Sequence, residues 1–245
     1  MKLLWMYWNH QKPHLIRQIK EHNRKNLPSW KIIYLTNQNI HEYIPSFPPK
    51  YKTLIPTHQS DWIRLYLIMT YGGVWADASI IINSEKAMDE LWEKTNTYDF
   101  VGFYNGGKQN GIYEKIETWC FGSKKNGIVV TLWFHEFNQA IHEGYKPYRN
   151  RIVKNTNFSS YIKNKEFIDY FTVYFCLQNV MQHHPLPKMY LMDANDSMFK
   201  IYNQCNQNPK CVMNRLKTKK VKLPYIKLTR HERNTRINID SYFKD

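Results

Sequence analysis

Cysteine and long apolar runs are both scarce in this chain. The 245 residues include only 4 Cys, too few for a small disulfide-rich scaffold. The longest apolar stretch, residues 62–71, is interrupted by Arg64 and is much shorter than the ~20 residues that cross a bilayer. The amino-terminal segment lacks the apolar core and cleavage site of a signal peptide. We therefore expect a cytoplasmic protein with reduced thiols at Cys120, Cys176, Cys205 and Cys211.

Acidic residues are also few. There are 20 Asp+Glu against 35 Lys+Arg, which gives a net charge of +15. This imbalance indicates an anionic partner, whether nucleic acid, an acidic membrane surface or a phosphorylated substrate, although a solvated basic face would also explain it. Disorder is excluded because 42% of the residues are hydrophobic and 16% are aromatic. The length favours one domain, residues 1–245.

The order of apolar segments predicts an α/β fold with a mixed sheet. Residues 3–8 and 30–35 read as strands separated by a helix over 13–26, which is typical of a parallel βαβ unit. A helix from Asp61 to Tyr71 is expected to start at Ser60 and to end at Gly72-Gly73. Further strands are expected over 74–82, 99–103 and 118–122, and further helices over 126–142 and 166–182.

The most informative polar residues lie in the most apolar part of the chain. Asp61 and Arg64 share one face of a helix that is otherwise hydrophobic, so they form either an intrahelical ion pair or part of a ligand site. Asp77 interrupts a strand rich in Val, Trp and Ile, where a carboxylate is costly without a partner. Gly72 and Gly73 let the backbone turn sharply and approach a ligand closely. Together these features indicate a functional site.

The run Ser60-Asp61-x-x-Arg64, followed by Tyr71-Gly72-Gly73-x-Trp75-x-Asp77-x-Ser79, resembles the DXD-type sugar transferases of the capsular polysaccharide synthesis family. These are related to α-mannosyltransferases and to glucosylating toxins. Weaker resemblances are carried by downstream blocks and by the first two strands. The downstream blocks are Glu117-x-Trp119, Asp169-Tyr170-Phe171 and Lys227-Leu228-Thr229.

The resemblance implies a GT-A-type nucleotide-sugar-binding fold with a mixed, mostly parallel sheet flanked by helices. Residues 1–125 would form the nucleotide-sugar-binding half, and residues 126–245 the acceptor-side helices and a basic carboxyl-terminal segment. It also implies a retaining transferase that moves a sugar from a nucleotide-sugar donor, expected to be UDP-linked. The acceptor would be a glycan or lipid-linked molecule in surface polysaccharide or glycan synthesis.

The same resemblance assigns candidate roles to residues. Asp61 and Arg64 would hold the donor sugar, and Asp77 is the first acid of the DXD motif. Ser79 replaces the second acid, which weakens the expectation of a Mn²⁺ or Mg²⁺ ion held by Asp77 and Ser79. The remaining candidates for donor binding are Tyr7, Trp8, Gly72, Gly73 and Lys227.

Lys227 belongs to a basic segment, 219–227, that could add positive charge. The aromatic rings of Tyr7 and Trp8 could stack on a uracil base, although core packing is expected for at least one of them.

Two other hypotheses remain open on sequence grounds. The first is a non-enzymatic binder of an anionic surface or of nucleic acid. Carboxylates at Asp61 and Asp77 argue against it, so we expect no nucleic-acid partner, while peripheral contact with an anionic membrane remains compatible with the charge. The second is an inactive relative of the transferases, which the Ser79 replacement motivates.

Overall fold

The computed structural model describes residues 1–9, 13–109, 112–154, 169–219, 221 and 223–244. Within these ranges the chain forms eight strands and nine α-helices. In chain order the elements are β1 (Leu3–Tyr7), α1 (His14–Asn26), β2 (Lys31–Leu35), α2 (Pro56–Tyr71), β3 (Gly73–Ala76), β4 (Ile80–Ile82), α3 (Glu85–Lys94), β5 (Phe100–Gln109), β6 (Ile112–Ser123), α4 (Ile128–Glu143), α5 (Tyr145–Ile152), α6 (Thr172–His183), β7 (Met189–Asp193), α7 (Lys200–Gln204), α8 (Pro209–Lys217), β8 (Tyr225–Lys227) and α9 (Arg230–Arg233).

Six strands form the main sheet in the order β2-β1-β3-β6-β5-β7. β1 runs parallel to β2 and β3, and β5 runs parallel to β7, whereas β6 is antiparallel to both of its neighbours. The expected mixed, mostly parallel sheet is therefore confirmed. A second, two-stranded sheet pairs β4 with β8 in antiparallel register.

Strand periodicity explains the layers on either side of the main sheet. Side chains alternate between faces, so Trp5 and Trp75 pack with α2, α4 and α6, while Met6 and Val74 pack with α3. The structure thus has helices on both faces of the sheet. Among the described residues, no helix is both long and apolar enough to cross a membrane.

Two predicted boundaries are wrong between residues 56 and 82. Helix α2 begins at Pro56, one turn before Ser60, because proline is compatible with the first helical position and lacks an N–H that would go unpaired. The predicted strand over 74–82 is two strands, β3 and β4, which belong to different sheets. Between them, Ile80 N–H donates to the carbonyl of Asp77 at 2.9 Å, which closes a turn. Asp77 and Ser79 therefore lie on a turn between strands.

The carboxyl-terminal part contains more strand than expected. β7 joins the main sheet beside β5, and β8 pairs with β4. Residues of both predicted halves of the chain therefore build the same sheets. The predicted helix over 166–182 is observed from Thr172, and its first residues, 166–168, lie outside the described residues.

The predicted reduced state of Cys205 and Cys211 is wrong, because these two residues form a disulfide. The turn between α7 and α8 brings their Cα atoms to 5.7 Å, within the range that a disulfide requires. The prediction of reduced thiols rested on the expected cytoplasmic location, which contains no information about the distance between these two residues. Cys120 and Cys176 are free and buried.

Gly72 ends α2 with a positive φ of 70°. A Cβ at this position would lie 2.7 Å from the backbone nitrogen of Lys125. Its carbonyl accepts a buried hydrogen bond from the indole of Trp5 at 2.9 Å. The predicted end of the helix is confirmed, and the glycine is required by both backbone conformation and lack of space.

We predict that Gly72→Ala destabilises the protein more than Gly144→Ala does. Gly144 also has a positive φ, 91°, but the nearest atom to its added Cβ is 3.7 Å away. Gly144→Ala should therefore lower the free energy of unfolding by ~1–3 kcal/mol, because a positive φ with an extended ψ is strained for a residue that has a Cβ. Gly72→Ala should lose a further ~1–3 kcal/mol from the clash. Thermal or urea unfolding of both variants measures this difference, and equal losses would contradict the role given to the close backbone contact.

Candidate active site

The candidate site lies at the carboxyl ends of the parallel strands, where ligands bind in open α/β sheets. Tyr7 ends β1, and Asp77 directly follows β3. Because β6 runs antiparallel to β3, its middle residues reach the same edge, where Asp77 N–H donates to the carbonyl of Trp119 at 2.8 Å. The amino-terminal half of α2 closes one side of this edge.

A cavity of about 620 Å³ opens at this edge. Most of the predicted site residues line it. They are Tyr7, Trp8, Asp61, Arg64, Asp77, Ser79 and Lys227.

Arg64 is the central side chain of the cavity floor and is only 5% exposed. Its Nη1 lies 3.0 Å from Asp61 Oδ1 and donates to the carbonyl and hydroxyl oxygens of Thr118 at 3.0 and 2.5 Å. Its Nη2 donates to Asp77 Oδ1 at 3.2 Å and to Ser60 Oγ at 3.0 Å. Burial alone would lower the pKa of Arg64, but the two carboxylates outweigh it and raise the pKa. The guanidinium thus joins α2, β6 and the turn after β3.

Asp77 accepts hydrogen bonds on both carboxylate oxygens. Besides Arg64, Oδ1 accepts from the indole of Trp75 at 3.0 Å, and Oδ2 lies 2.6 Å from the Lys227 ammonium. Lys227 Nζ also donates to Ser79 Oγ at 3.0 Å. Burial acts to raise the pKa of Asp77, but the charges of Lys227 and Arg64 outweigh it and lower the pKa. Asp77 is therefore held as a carboxylate between two cations.

The pKa of Asp61 is shifted in the opposite direction from that of Asp77. Burial raises the pKa of its carboxyl to about 7, because the opposing effect of Arg64 is incomplete and Asp77 adds repulsion. Within the described part of the chain, Asp61 Oδ2 and Arg64 Nε are both buried without a hydrogen-bond partner. Unpaired buried polar atoms cost ~1–3 kcal/mol each. Such a cost is typical of a site organised for a ligand rather than for stability.

The two aromatic candidates differ in their surroundings. Tyr7 donates its hydroxyl to Asn37 Oδ1 at 2.6 Å and packs in the core, and burial raises its pKa to about 12. Trp8 lies at the cavity with the guanidinium of Arg233 5.7 Å from its ring centroid. Of the two rings, Trp8 is the better placed to contact a planar ligand.

Gly72 and Gly73 do not line the cavity. Gly73 lies against β1, where an added Cβ would be 2.8 Å from the carbonyl oxygen of Leu3. Their assignment to donor binding is therefore corrected, because their backbone serves helix termination and strand packing. Of the predicted basic segment 219–227, only Lys227 lines the cavity among the described residues. Lys219 instead donates to the carbonyl of Lys244, and residues 220 and 222 lie outside the described residues.

A second polar group of side chains lines the same cavity. Glu117, 3% exposed, accepts from Tyr174 at 3.2 Å and from Asn105 at 3.3 Å, and lies 3.1 Å from the Lys115 ammonium. Asn195 in turn donates to Asn105 at 3.1 Å. All five residues line the cavity. The only sequence signal for this group was the weak Glu117-x-Trp119 block.

The carboxyl-terminal residues supply further positive charge that sequence reasoning did not place. Arg230 and Arg233 line the cavity, and neither has a carboxylate within ion-pair distance in the described part of the chain. Overall the lining holds two more basic than acidic side chains. The cavity therefore combines buried carboxylates with an excess of cations.

The predicted divalent metal does not fit this arrangement of donor atoms. Hard cations need several oxygen ligands, but both oxygens of Asp77 and the hydroxyl of Ser79 accept from cationic or N–H donors. Among the described residues, no group of three His, Cys, Asp or Glu side chains could hold a metal ion. The metal stays a prediction that this geometry does not favour.

Comparison with known proteins agrees with the predicted family and fold. The model of a family described as capsular polysaccharide synthesis protein matches residues 1–245. The chain belongs to this family. The predicted membership of this family is thus confirmed.

Individual relatives are more distant. An O-glycosyltransferase of Phomopsis amygdali, PaGT, is 24% identical over 161 residues, which cover 58% of this chain and 37% of that protein. The chain therefore matches little more than a third of the length of this relative. A solved glycosyltransferase involved in the glycosylation of the major capsid of PBCV-1 has a TM-score of 0.50 at 12% identity. That alignment covers 96% of this chain and 98% of the other. The expected glycosyltransferase-type α/β fold is confirmed.

We predict that the raised pKa of Asp61 makes stability fall as pH rises. In the folded state Asp61 keeps its proton up to pH about 7. In the unfolded chain it releases the proton near the ordinary pKa of an aspartate. The free energy of unfolding should decrease by on the order of 4 kcal/mol as the pH rises from the ordinary pKa of an aspartate to about 7. Asp61→Asn should remove most of this slope.

Urea unfolding at several pH values measures the slope. Glu90→Gln, which removes an exposed carboxylate, is the control and should keep the wild-type slope. Parallel profiles for wild type and Asp61→Asn would show that Asp61 titrates at the ordinary pKa of an aspartate, and would contradict the prediction.

Proposed function

We propose that the protein transfers a sugar from a nucleotide-sugar donor, expected to be UDP-linked, to a glycan or lipid-linked acceptor in surface polysaccharide synthesis. The observation that carries the proposal is the network Asp61–Arg64–Asp77–Lys227 on the cavity floor, in which acidic and basic groups alternate. Membership of the capsular polysaccharide synthesis family supports it. We further propose retention of the anomeric configuration.

The donor sugar is proposed to bind over Arg64. Carboxylates accept hydrogen bonds from sugar hydroxyls, and a guanidinium donates to hydroxyl and ring oxygens. Asp77 is a quarter exposed, so its carboxylate is within reach of a ligand in the cavity. A surface that binds only phosphates would gain nothing from carboxylates here, which disfavours a nucleic-acid binder.

The diphosphate of the donor is proposed to lie toward the carboxyl-terminal residues. Lys227, Arg230 and Arg233 line this part of the cavity. A departing nucleoside diphosphate gains negative charge, and fixed cations stabilise that charge more in the transition state than in the ground state. The indole of Trp8, beside Arg233, is proposed to contact the base.

The acceptor is proposed to bind near the group formed by Glu117 and its neighbours. Amide and carboxylate side chains such as Asn105, Asn195 and Glu117 are hydrogen-bonding groups that match the hydroxyls of a sugar. Peripheral contact with an anionic membrane, where a lipid-linked acceptor would lie, is proposed from the net charge of +15.

We predict slow release of free nucleoside diphosphate from at least one nucleotide sugar. Release needs no added acceptor, because water takes its place in this slow hydrolysis. The assay should use a panel of UDP- and GDP-sugars, with Mn²⁺ and separately with EDTA. Calorimetry on the same panel measures binding independently of turnover. Neither binding nor release with any donor under either condition would contradict the proposed transfer.

We predict that Arg64→Lys lowers the rate of sugar transfer by roughly 100-fold or more, because a lysine cannot reproduce bidentate contacts in a fixed plane. Arg151→Lys is the matched control. Arg151 also makes a bidentate contact, to Glu143 at 3.1 and 2.8 Å, but it lies on the surface. The control should keep wild-type transfer. Circular dichroism and unfolding curves separate loss of function from loss of fold, and a rate loss that merely follows the unfolded fraction would contradict a direct role.

A further inference from the structure

Lys227 lies where two oxygen donors converge. Its ammonium is 2.6 Å from Asp77 Oδ2 and 3.0 Å from Ser79 Oγ. Asp77 and Ser79 occupy the two positions from which a D-x-D motif would present its acids. The positive charge between these two residues is therefore supplied by a side chain of the protein.

The backbone fixes Lys227 in this position. β8 pairs with β4 so that Lys227 lies opposite Ile80, and Leu228 N–H donates to the carbonyl of Ser79 at 3.1 Å. Lys227 N–H donates to the carbonyl of Met198 at 3.1 Å, and the residue is only 8% exposed. A lysine held by strand pairing on one side and a carbonyl on the other is a built-in part of the cavity floor.

The charges around this point disfavour a second cation. Arg64 already contacts the other oxygen of Asp77, and the positive charge of Arg233, which lines the same cavity, also acts on Asp77. A divalent ion between Asp77 and Ser79 would either displace the Lys227 ammonium or lie against it. Both alternatives are costly in a partly buried site, because like charges are poorly screened there.

The cations in the cavity match the needs of a diphosphate leaving group. Each of Lys227, Arg230 and Arg233 donates hydrogen bonds and carries a full positive charge. Arg233 is positioned by its own hydrogen bond to the carbonyl of Leu228 at 2.8 Å. These side chains can therefore neutralise a diphosphate without a metal bridge.

We propose that Lys227, assisted by Arg233, neutralises the departing diphosphate in place of a divalent metal, so that the enzyme is metal-independent. This inference rests on the proposed sugar transfer. In the transfer, the bond from the anomeric carbon to the β-phosphate oxygen breaks, and its electron pair stays on that oxygen. The acceptor oxygen forms the new bond to the anomeric carbon, and its proton passes to the leaving diphosphate. Lys227 stays protonated throughout and acts by charge.

The first test measures binding of UDP and of GDP to the wild-type protein by calorimetry, in EDTA and in Mn²⁺. We expect at least one of them to bind with a dissociation constant that changes by less than about threefold between the two conditions. Binding that requires Mn²⁺ would overturn the inference and leave the proposed transfer standing. Absence of binding in both conditions would overturn the transfer and the inference together.

The second test removes the charge. Lys227→Met should weaken diphosphate binding in EDTA by roughly 10- to 100-fold, as expected for loss of a charge-assisted hydrogen bond. Lys86→Met removes the charge of a lysine that is 86% exposed and should leave binding unchanged. Equal affinities for Lys227→Met and wild type would overturn the inference.

The third test exchanges the cation. In the double variant Lys227→Ala with Ser79→Asp, two carboxylates two residues apart on a turn are free of the ammonium and provide hard oxygen ligands. Diphosphate binding by this variant should be weak in EDTA and restored by Mn²⁺, whereas wild-type binding should not respond. Thermal unfolding in EDTA verifies that the variant folds. A folded double variant that binds diphosphate equally well with and without Mn²⁺ would contradict the assignment of the cation to position 227.

Discussion

One buried guanidinium connects three separate parts of this fold. Arg64 lies on α2, and its two Nη atoms contact Asp61 on the same helix, Thr118 on β6 and Asp77 after β3. Truncating one member of such a network leaves a buried charge unpaired, which typically costs 3–5 kcal/mol. The hydrophobic residues of α2 pack against the sheet and thereby hold Arg64 in place. The apolar sequence of this helix therefore positions its buried charge.

The position of this network follows from the strand directions. β1 and β3 are parallel neighbours, so Tyr7 and Asp77 emerge at the same edge of the sheet. The antiparallel β6 passes this edge in its middle and contributes Glu117 and Thr118 there. A mixed sheet thus places polar groups from strand ends and from a strand interior around one cavity. The helix α2 closes it with Asp61 and Arg64.

The sequence was most informative where a residue contradicted its surroundings. Asp61, Arg64 and Asp77 were each conspicuous in an apolar segment, and the structure brings all three together. Short apolar and aromatic segments likewise predicted the positions of β1, β2, β3, β5 and β6. In contrast, Ser60 had the side chain of a helix cap, but the preceding Pro56 starts the helix one turn earlier. Local preference alone could not decide between these two starts.

Contacts between distant segments were beyond sequence reasoning. The pairing of β4 with β8 brings Lys227 to Asp77, and nothing in either short segment specifies its partner. Tyr174 and Asn195 look like ordinary polar residues until the fold places them beside Glu117 and Asn105. The disulfide between Cys205 and Cys211 depends on the turn between two short helices. Each of these features is a property of the tertiary arrangement.

The contact between Asp77 and Lys227 spans 150 residues of sequence, and this separation has a consequence for biosynthesis. The amino terminus of a chain leaves the ribosome first, so β1 to β6 can associate before β8 has been synthesised. During that interval Asp77 has Arg64 as a neighbour but lacks its second cation. Long-range pairings form late because loop closure must precede them. The cavity floor is therefore completed after β1 to β6 have been synthesised, because Lys227 is one of the last residues to reach it.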